Sequence, residues 1–136
     1  GIIDLIQIHG DEDAAYCAQL RKLTQAPIIK VVRVEREDDL AGIEEFDCDY
    51  YLFDTLSSKD YGGTGKAFDH SILYNKGIKK PFFVAGGLKQ DNVAAVIEVI
   101  KPFGVDASGG VETDGIKDAN KIKEFIKQGR IVGKND

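Results

Sequence analysis

Five short runs of Ile, Val, Leu, Phe and Tyr, apolar on both alternating parities, constrain the fold of this 136-residue chain more than any other feature. They are Leu5 to Ile8, Ile28 to Val34, Tyr50 to Phe53, Phe82 to Ala85 and Gly104 to Ala107. A strand with one wet face alternates apolar and polar residues. Runs apolar on both parities suit strands covered on both faces, as parallel strands are when helices pack over them. Polar turn residues and then a helical pattern follow the runs. Asp11 is placed to cap a helix reaching Thr24, Asp69 a short one reaching Tyr74, Asp91 one reaching Ile100 and Asp118 one reaching Gln128. Val93, Val96, Ile97 and Ile100 share one helical face, which turns Asn92 and Glu98 toward water, and Pro102 stops that helix.

Strand and helix alternating at this spacing give right-handed βαβ units, an α/β class with a parallel sheet in a single domain over residues 1–136. Two architectures fit: part of a (β/α)8 TIM barrel, or a five-stranded open parallel sheet, doubly wound. Length favours the open sheet and the loops favour the barrel.

Ligands of either fold bind outside the carboxyl ends of the strands, so the residues there carry the functional reading. Gly62, Gly63, Gly65, Gly86, Gly87, Gly109, Gly110 and Gly115 all follow the last three strands. In "VAGGL" (84–88) and "DASGGVE" (106–112), paired glycines let backbone N–H groups converge on one point. With the positive end of a following helix they make a phosphate site that needs no Lys or Arg, and Ser108 adds a hydroxyl.

Asp54 ends the strand "YYLF", where a carboxylate either meets a ligand or caps its own long loop through Thr55. His9, in "IQIHG", lies on the same rim. His70 sits in a short helix. Lys30, mid-strand in "IIKVV", raises the Schiff-base chemistry of aldolases, although nothing else in the chain supports it. Lys101 and Lys121 to Lys127 read as solvated helix faces.

The loop "DYGGTGKAFD" (60–69) looks at first like a nucleotide loop. A P-loop needs Gly where Asp60 stands and a hydroxyl where Ala67 stands, so the pattern fails at both ends. A net charge of -5 and a pI near 5.0 exclude a basic nucleic-acid surface. No apolar stretch reaches the roughly 18 to 20 residues of a membrane span, and no signal peptide precedes the first strand, so a cytoplasmic location is expected. Cys17 and Cys48 form no CxxC pair and are expected to be free thiols. A chain that begins at Gly1 and lacks Met entirely is expected to be a piece of a longer polypeptide.

The stretches "LIQIHGDE", "YYLFDT" with "YGGTGKAFD", "FFVAGGLKQDNV", and "PFGVDASGGVE" with "GIKDANKIKEFI" together resemble the phosphoribosylanthranilate isomerases of tryptophan biosynthesis, in order and spacing over almost the whole chain. The resemblance implies strands four to eight of a (β/α)8 barrel and an Amadori rearrangement of an N-linked aminoaldose phosphate into an aminoketose phosphate, with no metal and no cofactor. It makes Asp54 the general acid on the ribose ring oxygen and places the phosphate on Gly86, Gly87, Ser108 and Gly109. Asp106 and His9 then line the substrate cavity.

Three departures accompany it. The family's base is a Cys in a Lys-Ile-Cys-Gly type first strand, and neither Cys17 nor Cys48 stands in such a stretch. Ser108-Gly109-Gly110 replaces the usual Ser-Ser-Gly, and His70 replaces a frequent Trp. The chain is therefore expected to carry the acid and phosphate half of a site and to be inactive alone. Its partners are a phosphosugar and either the missing N-terminal part of the barrel or a second copy at its sheet edges. The alternative from outside enzymology is a phosphate-ligand binding module.

Overall fold

A computed structural model describes residues 2–55 and 70–132. Five strands, β1 (Ile6–Ile8), β2 (Ile28–Val34), β3 (Tyr50–Thr55), β4 (Phe82–Val84) and β5 (Gly104–Val105), form one sheet. All four pairings are parallel and the spatial order is β1-β2-β3-β4-β5. Each crossover therefore steps one strand in the same direction, as between neighbours in a (β/α)8 barrel. The reversal that defines a doubly wound sheet does not occur among the described residues. Both edges, β1 and β5, pair on one side only among those residues, so this is also an open parallel sheet.

The pleat gives the sheet two apolar faces. Ile28, Val32 and Val34 of β2 point the same way as Tyr51 and Phe53 of β3, and pack with Cys17 and Leu20 of α1 (Ala14–Leu23), Val96 and Ile100 of α2 (Val93–Ile100) and Phe125 of α3 (Ala119–Val132). The opposite face, Ile29, Val31, Leu52 and Ala85, packs with Tyr50 and Phe83, and with no helix among the described residues. Among the described residues the helices thus cover one side, and the other corresponds to the side that a closed barrel makes concave. Ile29, Val31 and Leu52 are nevertheless only 5%, 4% and 4% exposed. Tyr50, Phe83 and Phe103 form a ring cluster at the amino-terminal end of this face, with centroids 5.4 to 5.8 Å apart. Exposure is concentrated on Phe103, at 64%. Gly104 belongs to this packing, because a Cβ there would come within 2.7 Å of the Phe83 ring.

The starts of α1 and α2 depart from the sequence reading by one or two residues. Asp13 rather than Asp11 caps α1, its extended backbone letting Oδ1 accept from the Tyr16 N–H at 2.8 Å. Glu12 folds back on the Gly10 N–H instead, at 2.9 Å. Val93 opens α2, and Asn92, half-buried, uses its side chain locally: it accepts from Lys89 N–H and donates to Gly87 O, both at 2.9 Å. Lys101 ends α2 in the left-handed region, one residue before Pro102. Asp118 stands before α3, as expected, accepting from Asn120 N–H at 2.8 Å, and the helix runs on to Val132. Asp69 lies outside the described residues; His70–Leu73, just after it, is a 3-10 turn.

Two features had no counterpart in the sequence reading. The β2 to β3 connection is made by 3-10 turns at Glu37–Leu40 and Ile43–Glu45 rather than an α-helix. A small antiparallel hairpin, β6 (Glu112–Thr113) with β7 (Ile116–Lys117), follows β5. One oxygen of Asp49 also fastens the fold, accepting from Ile28 N–H at 2.7 Å and from Arg21 at 2.6 Å. Burial raises the pKa of this carboxyl, but the Arg21 and Ile28 hydrogen bonds together hold it below the usual 3.8. Among the described residues no helix is long and apolar enough to cross a membrane.

Candidate active site

The strand register decides which side chains can meet. Asp54 has the parity of Leu52, the concave face, and is directly opposite Arg33 of β2. His9 follows β1 by one residue, on the parity opposite to the core residue Ile8. Its Nε2 comes within 3.5 Å of Asp54 Oδ2. The carboxylate therefore faces another side chain across the rim, and the loop it would otherwise cap lies outside the described residues.

A cleft of about 640 Å3 opens along this rim, lined by His9, Asp54, the two glycine loops and Asp106. Gly86 and Gly87 have φ of 78° and 65°, the left-handed region that glycine alone adopts without strain. Among the described residues neither donates its N–H to another group, which leaves two donors at the cleft. Ser108 and Gly109 line the same cleft and are exposed. Gly109 is not forced by its backbone: φ is not positive, and a Cβ would meet nothing within 4 Å.

Gly110 is the demanding position. A Cβ there would overlap the Leu88 carbonyl oxygen and come within 2.8 Å of the Leu88 carbonyl carbon and 3.1 Å of Lys89 Cβ. Backbone touches backbone at that point, so Gly110 is what lets the loop after β5 seat against the loop after β4. The helix contribution differs from the expectation after β5, where Gly109–Val111 is a single 3-10 turn and α3 begins only at Ala119. Any stabilisation of an anion on that side comes from peptide N–H groups and side chains rather than a helix end.

Four charged residues near the cleft had no place in the sequence reading. Lys89 and Glu112 line it, Lys117 reaches Glu112 at 2.6 Å, and Arg33 neighbours Asp54 while pairing with Asp11 at 3.4 Å. Lys30, considered for Schiff-base chemistry, pairs in register with Ile8 and Tyr51 and so points to the helix face, away from Asp54. Only 4% exposed, it donates to Gly10 O at 2.9 Å and meets Glu12 at 3.4 Å. His70 is buried behind the sheet's rim and lines no part of the cleft. Cys17 and Cys48 are free and buried in the helix-side core, where burial pushes both thiols above the ordinary 9.0. Both lie on the face of the sheet opposite to Asp54. Among the described residues no group of three or more His, Cys, Asp or Glu is placed to hold a metal ion.

The order of these stretches is that of a known family. A family model described as N-(5'phosphoribosyl)anthranilate (PRA) isomerase matches residues 2–128. The chain belongs to the phosphoribosylanthranilate isomerase family. A relative from Endomicrobium trichonymphae, named N-(5'-phosphoribosyl)anthranilate isomerase, is 46% identical over 125 residues, covering 92% of this chain and 60% of its own. The crystal structure of the phosphoribosyl anthranilate isomerase from Thermotoga maritima superposes with a TM-score of 0.78 at 35% identity, over 95% of this chain and 62% of that one. A further family structure, in complex with reduced 1-(o-carboxyphenylamino)-1-deoxyribulose 5-phosphate, gives a TM-score of 0.70 at 30% identity over 95% and 60%. The chain thus spans about three-fifths of the length of the family members it matches.

Proposed function

We propose that the cleft holds the phosphate and acid half of a phosphoribosylanthranilate isomerase site, and that the chain corresponds to strands four to eight of the barrel. The observation that carries this reading is the convergence of Asp54 and His9 with two backbone-seated glycine loops on one cleft at the strand ends. The loops suit a phosphate: Gly86 and Gly87 offer N–H donors and Ser108 a hydroxyl. Asp54 lines the same cleft, where it would meet the sugar ring.

In this reading Asp54, protonated, gives its proton to the ribose ring oxygen of N-(5'-phosphoribosyl)anthranilate; the C1'–O bond breaks and the aniline nitrogen's lone pair forms the C1'=N iminium. Removal of the C2' proton by a base gives the enolamine, and tautomerisation gives the aminoketose. These are proton transfers between side chains and substrate, for which a carboxylic acid and a base suffice. His9, 3.5 Å from Asp54, is placed to orient the carboxyl group. Asp106 lines the same cavity. The base comes from strands outside this chain, since both cysteines lie in the core behind the sheet. Those strands would also pair β1 and β5 and cover Phe103. A soluble phosphosugar as substrate fits a cytoplasmic enzyme of amino-acid biosynthesis.

A titration of the chain with the reduced carboxyphenylamino-deoxyribulose 5-phosphate tests the phosphate half directly. The amide resonances of Gly86, Gly87, Ser108 and Gly109 should shift together with one saturation curve. Shifts confined to other residues, or none at millimolar ligand, would overturn the assignment. The competing reading, a phosphate-binding module without catalysis, draws on the absence of a thiolate from the described part of the cleft, and is separated by the turnover measurement that closes the Discussion.

A further inference from the structure

Among the described residues, three carboxylates, Asp54, Asp106 and Glu112, line the cleft that is to receive a phosphate dianion. Glu112 is the one set among the phosphate loops, four residues beyond Ser108. Unopposed, it would repel the ligand it helps to enclose. The hairpin after β5 supplies the opposing charge. Asp114 and Gly115, at φ of 51° and 77°, make the two-residue turn whose left-handed geometry matches strand twist, and so set Lys117 opposite Glu112. Lys117 Nζ lies 2.6 Å from Glu112 Oε1 and 3.0 Å from both the carbonyl oxygen and the Oγ of Ser108. Its three N–H bonds match these three acceptors in number.

This arrangement constrains the Ser108 hydroxyl. An ammonium group only donates, so Ser108 Oγ must accept from Lys117, and its single proton is turned away from Nζ. The exposed Ser108 side chain lines the cleft, where that proton can be donated to an anion. We propose that Lys117 is a positioning residue of the phosphate site, acting through Ser108: it orients the serine hydroxyl as a donor to the phosphate and holds the Glu112 charge in a pair. The proposal rests on the phosphate reading of the cleft. Lys117 itself is 51% exposed and supports no core packing, so its replacement is tolerated by the fold.

The test is binding of inorganic phosphate to the 136-residue chain, followed at the Gly86 and Gly87 amides, in wild type, K117M, S108A, S108A/K117M and E112Q/K117M. K117M should bind roughly tenfold or more weakly, as expected for a lost hydrogen bond to a charged group. S108A/K117M should bind no more weakly than K117M, because the serine's contribution depends on the lysine. E112Q/K117M should remain weak, because removing the carboxylate does not restore the donor to Ser108. Losses that multiply in S108A/K117M, or recovery of wild-type affinity in E112Q/K117M, would overturn the proposal in favour of simple charge neutralisation. K117M binding within twofold of wild type would overturn it while leaving the phosphate site standing. A wild-type chain that binds no phosphate would bring down the reading of the cleft, and this inference with it.

Discussion

Asp54→Asn should lower isomerase turnover by about 10^2 to 10^4-fold in a chain completed to a full family barrel, with ligand affinity changed by no more than roughly threefold. Asparagine keeps the size of the side chain and an oxygen facing His9 Nε2, which lies 3.5 Å from the carboxylate in the native chain. It has no acidic proton. If ring opening draws its proton from Asp54, the amide stops the first chemical step and leaves the phosphate loops intact. Initial rates at saturating substrate, beside a titration with the reduced product analogue, separate the two effects. A loss of affinity that matches the loss of rate would instead make Asp54 a binding residue. Retention of most of the rate would remove it from the chemistry.

The second large effect concerns the seat of the two glycine loops. Gly110→Ala should weaken phosphate binding by roughly 30-fold or more and lower stability by about 2–4 kcal/mol. The added methyl group collides with the Leu88 carbonyl, a backbone group with no rotamer to change, so the loops must separate. Separation moves Ser108 and Gly109 away from Gly86 and Gly87. Gly109→Ala, one residue away, meets nothing within 4 Å and should change stability by no more than about 0.5 kcal/mol. Urea denaturation of the two variants checks the contrast. Equal stabilities would mean that the loops are not in backbone contact in solution.

The strands and the two glycine loops were legible in sequence because each rests on a local rule. Apolar runs of both parities marked β1 to β5, and adjacent glycines marked the left-handed turn at Gly86 and Gly87. Asp54 and His9 were legible only as strand-end residues; that they face each other depends on the β1-β2-β3 register, which no short stretch specifies. Gly110 had a reason for being glycine that lies 22 residues away, at Leu88. Lys117 was hidden because its strand is two residues long, too short for any periodicity. Asp114-Gly115 was the available signal, an aspartate-glycine pair of the kind that makes tight hairpins. The cap of α1 is Asp13 rather than Asp11: Asp13 Oδ1 accepts from Tyr16 N–H, while Asp11 pairs with Arg33 across the rim. That Ile29, Val31 and Leu52 are buried on the face away from the helices, while Phe103 beside them stays exposed, was not legible in any one stretch.

In the proposed reading this chain supplies the acid and the phosphate loops, and further strands of a complete barrel supply the base. Turnover of N-(5'-phosphoribosyl)anthranilate should therefore be measured for the chain alone and for the chain joined to the first three βα units of a family member carrying the Lys-Ile-Cys-Gly strand. The expected result is no detectable turnover alone and clear turnover in the completed barrel. Turnover by the chain alone near that of an intact family member would contradict it, and so would a completed barrel that binds phosphate but converts no substrate.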